Sequence, residues 1–245
     1  MVRSLKTLVV IVMLFLLTPV TSFSKVFLVS VGIADYPGTV NDLTLCGRDA
    51  KTITALYSKN QDMTYCQLID SEATRKKIEK AMNKVYAKAG ENDIVVFFYS
   101  GHGYQGGFCA YDGQLPYTVI RKAMMKSKSR NKMIFADACF SGKFRTPGHS
   151  SNEVQEAKNS KVMVFLSSRG SETSIESASM NNGFFTSFLQ KGLRGAADEN
   201  RNRVITAKEL FNYVNSNVVR RTSGRQHPVM WGRFPDDMPV MIWMQ

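Results

Sequence analysis

Two apolar runs, Asp93-Ile-Val-Val-Phe-Phe-Tyr99 and Lys132-Met-Ile-Phe-Ala-Asp-Ala138, constrain this chain more than any other feature. Each lacks polar alternation, as expected of a strand buried on both faces in a parallel sheet covered by helices. The first breaks into Ser100-Gly101-His102-Gly103, and the second ends on Cys139 before Phe140-Ser141-Gly142. In such sheets the working residues stand where the carboxyl ends of strands enter loops, so His102 and Cys139 are expected on one rim. Adjacent strands run about 4.8 Å apart, close enough for an imidazole to reach a thiol. A thiol becomes a strong nucleophile when a neighbouring base favours its thiolate. Cys139 is therefore read as nucleophile and His102 as general base, against a plain buried cysteine as the structural alternative. The glycines flanking His102 let the backbone bend sharply there, which a merely structural histidine would not need.

The rest of the chain alternates strands with helices. Strands are expected over 25–32, 65–69, 162–168 and 229–231, and helices over 45–58, 74–89, 117–126, 184–193 and 207–219. Cys46, Ala50, Ile53 and Tyr57 share the inner face of the first helix, and Ile78, Met82, Val85 and Ala89 that of the second. Gly90 is a candidate cap for that second helix. Residues 106–113 suit a small hairpin. A polar stretch over about 143–161, holding Pro147, Gly148 and several serines, reads as a long exposed loop. Alternation of this kind argues a three-layer α/β/α sandwich with a mostly parallel sheet.

Residues 1–24 differ in kind. Arg3 and Lys6 precede the apolar run Leu8–Leu17, and small residues follow up to Ser24, the pattern of a secretory signal peptide. The run is too short for a comfortable membrane span, although an uncleaved N-terminal anchor is the alternative. Residues 25–245 would then form one domain, secreted or periplasmic. The formal charge is +12, which falls to +10 without the leader and favours anionic partners. No nucleic-acid motif accompanies it, so no nucleic-acid partner is expected, and a membrane contact only through an uncleaved leader. Cys46 and Cys66 could form a disulfide in an oxidising compartment, but a helix face and a strand suit two free thiols better. No cysteine or histidine spacing resembles a zinc site.

Tyr-Ser-Gly-His-Gly at 99–103 followed by Asp-Ala-Cys-Phe-Ser-Gly at 137–142 resembles the caspase and metacaspase family of cysteine peptidases, nearer its prokaryotic metacaspase-like branch. The likeness runs from about Lys25 to the C-terminus. It takes in Asp49-Ala50 and the closing Gln226-His-Pro-Val-Met-Trp-Gly232. It implies a six-stranded sheet in the order 2-1-3-4-5-6 with the last strand antiparallel. It also implies an oxyanion hole from the backbone N–H groups of Gly103 and Cys139, and substrate binding by Asp49 and Asp137. Asp137 precedes Cys139 by two residues and so shares its strand face, where an acid could pair with a basic side chain before the scissile bond. Asp49 would otherwise be a helix-surface carboxylate or a partner of Arg48.

Two features bear on calcium. Metacaspases often carry an aspartate cluster after the histidine motif, yet between Gly103 and Lys132 this chain has only Asp112. Asp198, Asn200, Asn202 and Glu209 copy four positions of an EF-hand loop, but Arg203 replaces its glycine, and Thr206 with Glu209 fits a helix-capping box instead. No cofactor is expected, with calcium activation as the lesser alternative. The expectation is thus an endopeptidase cleaving after Arg or Lys, with self-processing after Lys143, Arg145, Lys158 or Lys161. The alternatives are a non-proteolytic module of the same fold that captures basic peptides, and an envelope-binding factor working through its basic surface.

Overall fold

Val26–Gly32 (β1) is buried at every position and lies between two partners. The computed structural model describes residues 24–60, 62–104, 106–139, 161–168 and 182–243. The leader expected over 1–24, except Ser24, and the loop expected over 143–161, except Lys161, lie outside these residues. In chain order the elements that follow β1 are α1 (Cys46–Asn60), β2 (Met63–Ile69), α2 (Arg75–Tyr86) and β3 (Ile94–Tyr104). Next come β4 (Gly107–Ala110), β5 (Gly113–Pro116), α3 (Tyr117–Met125), β6 (Asn131–Cys139) and β7 (Met163–Leu166). The chain closes with α4 (Phe184–Lys191), β8 (Val204–Thr206), α5 (Ala207–Arg221), β9 (Val229–Trp231) and β10 (Pro239–Ile242).

The main sheet has the order β2-β1-β3-β6-β7-β9, parallel throughout except for β9, which runs antiparallel to β7. This is the expected order with the expected reversed last strand. Alternation along each strand divides the apolar residues between two cores. Phe27, Val29, Val95, Phe97 and Tyr99 face α2 and α3, whereas Val26, Leu28, Ile94, Val96 and Phe98 face α1, α4 and α5. Helix faces read from sequence fall where expected, with Cys46, Ala50, Ile53 and Tyr57 buried on α1 and Ile78, Met82 and Val85 on α2.

Boundaries differ in informative places. The second helix ends at Tyr86 with Ala87 as cap, and Gly90 instead gives its N–H to the Asp93 carboxylate at 2.7 Å. The second strand starts at Met63 rather than Tyr65 because β1 pairs with it along its whole length. β3 does not break after Tyr99 but continues through His102 to Tyr104, held first by β6 and then by β4. The hairpin expected at 106–113 spans β4 and β5 instead, ending at Pro116. The small sheet of β8 with β10 has no counterpart in the sequence reading. Cys46 and Cys66 are not joined in a disulfide; Cys46 is buried and Cys66 half-buried.

Gly32 ends β1 where the first turn of α1 closes over it. A methyl there would overlap the Cys46 carbonyl oxygen and lie 2.9 Å from the Ala50 Cβ. Overpacking of this kind costs about 1–3 kcal/mol. Gly32→Ala is therefore expected to lower the thermal midpoint, by about 2–4 °C for each kcal/mol, in a circular-dichroism melt. An unchanged midpoint would show that α1 shifts freely.

Candidate active site

β3 and β6 pair in register from Ile94 opposite Asn131 to His102 opposite Cys139. The expected nucleophile and base positions are therefore direct neighbours on adjacent strands. Two rungs earlier, Ser100 stands opposite Asp137.

His102 is held from several sides. Its Nε2 lies 2.7 Å from the backbone carbonyl of Asn41, in the short turn after β1. A carbonyl can only accept, so Nε2 carries the proton and Nδ1 is the nitrogen left to exchange one. The His102 backbone N–H donates to the Tyr36 hydroxyl at 2.9 Å, and the Tyr99 hydroxyl donates to the carbonyls of His102 at 2.8 Å and Cys109 at 2.7 Å. The two hydroxyls lie 3.1 Å apart. Since the Tyr99 proton serves those carbonyls, Tyr36 is the donor between them. The Tyr36 ring also packs on the imidazole, with centroids 4.9 Å apart and planes tilted by 42°. Gly101 makes room for this arrangement, because a Cβ there would come within 2.5 Å of the Tyr99 hydroxyl and 2.7 Å of the Tyr36 hydroxyl.

Asp49, in the first turn of α1, is 1% exposed rather than on the helix surface. Its carboxylate accepts from Ser100 Oγ at 2.9 Å, Asn182 Nδ2 at 2.7 Å and the Gly183 N–H at 3.4 Å. Burial, and next the charge of Asp137, push its pKa up to about 8, while those hydrogen bonds pull the other way. Asp137 is buried too, and one of its oxygens accepts the backbone N–H of Thr186 at 3.1 Å and the Thr186 hydroxyl at 2.9 Å. Gly183, the N-cap of α4, has no capping side chain, and Asp137 on β6 fills that role from across the fold. A carboxylate at a helix N-terminus is favoured by the unpaired N–H groups and the helix dipole. The single negative charge of the pair is therefore best held on Asp137. Gly183 is pressed against it, since a Cβ there would sit 2.5 Å from Asp137 Oδ2.

Gly103, expected to supply an oxyanion donor, is buried one residue past His102 and forms the inner rung of the β3–β4 ladder. Among the other thiols, burial pushes Cys109 up to about 12 and raises Cys66, so neither has the character of a nucleophile. No group of three His, Cys, Asp or Glu side chains among the described residues could hold a metal ion. In the stretch resembling an EF-hand loop, Asp198 accepts from the backbone N–H groups of Asn202 and Arg203. Glu209 there closes a capping box with Thr206 at the start of α5.

Sequence reasoning put His102 and Cys139 on one rim with Asp137 beside the cysteine; the β3–β6 register sets these three positions within two rungs of one another, and Asp49 is hydrogen-bonded to Ser100, which stands opposite Asp137. Sequence reasoning missed Tyr36, Asn41, Ser100, Asn182 and Thr186, which hold them. Tyr99 and Ser100 lay inside the quoted motif, and Tyr36 inside the turn cluster Asp35-Tyr-Pro-Gly38.

Comparison with known proteins agrees with this architecture. Comparison with curated proteins gives no match. A crystal structure of a Geobacter sulfurreducens protein superposes with a TM-score of 0.67 at 18% identity, covering 90% of this chain and 100% of that one. That likeness speaks to the fold alone. The caspase-domain model of the C14 peptidases matches residues 26–238, nearly the whole described region, and the chain belongs to that family.

Proposed function

We propose that this chain is a secreted or periplasmic cysteine endopeptidase that uses Cys139 and His102 to hydrolyse peptide bonds after Arg or Lys. The observation that supports it most is the β3–β6 register. The same pair of strands sets His102 opposite Cys139 and, two rungs below, Ser100 and Asp137 beside the buried carboxylate of Asp49. In this reading His102 Nδ1 takes the Cys139 proton and the thiolate attacks the scissile carbonyl. The backbone N–H groups of Gly103 and Cys139 stabilise the resulting oxyanion. His102 returns the proton to the leaving amine, and water then hydrolyses the thioester. Asn41 keeps the imidazole in the tautomer this sequence requires. The substrate's guanidinium or ammonium group pairs with Asp49 and Asp137, and its charge compensates the cost of ionising both.

Paired fluorogenic peptides differing only in Arg or Asp before the scissile bond test the reaction and its specificity together. The Arg peptide is expected to be cleaved, and Cys139→Ala or His102→Ala to lower the rate by about a thousandfold or more. Self-cleavage after Lys143, Arg145, Lys158 or Lys161 is expected in the same preparation. Preference for the Asp peptide would overturn the acidic-pocket assignment.

Asp49 carries a stability signature as well. Its carboxyl ionises near 3.8 in an unfolded chain and near 8 when folded, so it weakens the fold progressively as pH rises between those values and no further above. Asp49→Asn is expected to melt with the wild type below about pH 4 and increasingly above it up to about pH 8. For the wild type, the ratio of kcat/KM for Arg over its uncharged isostere citrulline should climb as pH rises towards 8. A melting difference independent of pH would show that Asp49 is ionised throughout.

Tyr36→Phe removes the hydroxyl that accepts the His102 N–H. A displaced base lowers turnover while leaving substrate binding alone, so kcat is expected to fall about tenfold with KM unchanged. A rise in KM alone would assign Tyr36 to substrate contact instead.

A further inference from the structure

The basic excess of the chain is concentrated on one flank of the sheet. Residues 75–91 and 117–130, which contain α2 and α3, hold eleven Lys and Arg against Glu79 and Glu91, a net +9 where the whole chain has +12. The two helices lie side by side over one core, with Ile78, Met82, Ile120 and Ala123 turned inward. Their outer faces carry Lys76, Lys77, Lys80 and Lys84 on α2 and Lys122 with Lys126 on and just past α3, all exposed. Lys126 Nζ reaches Asn83 Oδ1 at 3.2 Å across the seam, so the two rows form one continuous surface. Both acids are already engaged by arginines, Glu79 by Arg75 at 2.8 Å and Glu91 by Arg130 at 2.7 Å. Among the described residues none of these lysines is ion-paired with a carboxylate. In their midst Met125, 49% exposed, stands one helical turn from Lys122.

We propose that this α2–α3 flank docks on an anionic lipid surface. The chemistry selects lipid over nucleic acid in three ways. The cations that face outward without an acid are lysines, compact hydrated charges that need no bidentate geometry and suit a diffuse layer of headgroups. The flank is formed by the sides of two helices packed next to each other and offers neither a projecting element for a groove nor an exposed aromatic platform for bases. An exposed methionine among lysines gives an apolar contact at the headgroup boundary, which a phosphodiester backbone cannot use. Among the described residues no helix is long and apolar enough to cross a membrane, so the contact is peripheral. His102 and Cys139 lie on β3 and β6 of the sheet and not on the α2–α3 flank. The inference is independent of the peptidase reading.

The test is co-sedimentation of the full chain with vesicles of phosphatidylglycerol and phosphatidylcholine, and with phosphatidylcholine alone. The apolar N-terminus contributes to both, so the difference between the two vesicles reports the flank. That difference is expected to be large at low salt and to collapse near about 0.5 M, where charges are screened within a few ångströms. The variant K77E/K80E/K84E/K126E is expected to lower anionic-vesicle affinity more than about tenfold. K51E/K59E/K191E/R221E, with the same net charge but altered on the opposite layer, should lose much less. As a readout needing no variant, vesicles should shield Lys77, Lys80, Lys84 and Lys126 of the wild type from an amine-reactive label, and leave Lys59 and Lys191 reactive. Equal losses in both variants, uniform labelling, no preference for anionic vesicles, or displacement from vesicles by an equal charge of duplex DNA would each overturn the proposal.

Discussion

The ladder joining β3 to β6 positions everything at this site. A slip of one residue would turn His102 to the other face of the sheet and carry Asp137 away from Asp49. What prevents the slip lies below the site, where Val95, Phe97 and Tyr99 are locked into one core and Ile94, Val96 and Phe98 into the other. Above Tyr99 the packing is polar. There the hydroxyls of Tyr36 and Tyr99 grip the backbone on both sides of the His102 Cα, one taking its N–H and the other supplying its carbonyl with a donor. The apolar core sets the register, and two buried phenols carry it the last few ångströms.

The acidic pair shows a different balance. Among the described residues every hydrogen-bond donor to Asp49 is neutral, and neutral donors soften the burial of a carboxylate without cancelling its charge. A core selected only for stability would replace such a pair with apolar side chains. Strain of this kind concentrates at sites that act on a ligand, and a cation supplied from outside is the group that would complete the arrangement.

Much of the fold was legible because it rests on features that sequence displays directly. Uninterrupted apolar runs marked β1, β3 and β6, and helical spacing marked the inner faces of α1 and α2. The strand order came from the family likeness rather than from the pattern, since nothing in an apolar run states its neighbour. The end of β3 was placed too early because serine and glycine usually terminate strands. Here Gly101 continues the strand, its missing side chain leaving space for two hydroxyls. Asn41 was invisible for a deeper reason. It contributes a backbone carbonyl, which any residue type would supply, so its identity carries no signal. Asn182 and Thr186 come from a part of the chain far from Asp49 and Asp137, and no spacing rule connects them.

Asp137 belongs at once to the acidic pair and to the start of α4. A change at this position intended to retune substrate choice would also strip a helix of its terminal hydrogen-bond acceptor. The two roles can be separated by supplying the cap locally, with Ser or Asp in place of Gly183, only if the new side chain clears the space Asp137 now occupies. In the proposed reading, selectivity and helix initiation would both run through one side chain, whose Oδ2 atom accepts from Thr186. A substitution at residue 137 would therefore call for a new acceptor at the N-terminus of α4, whatever it did to the acidic pair.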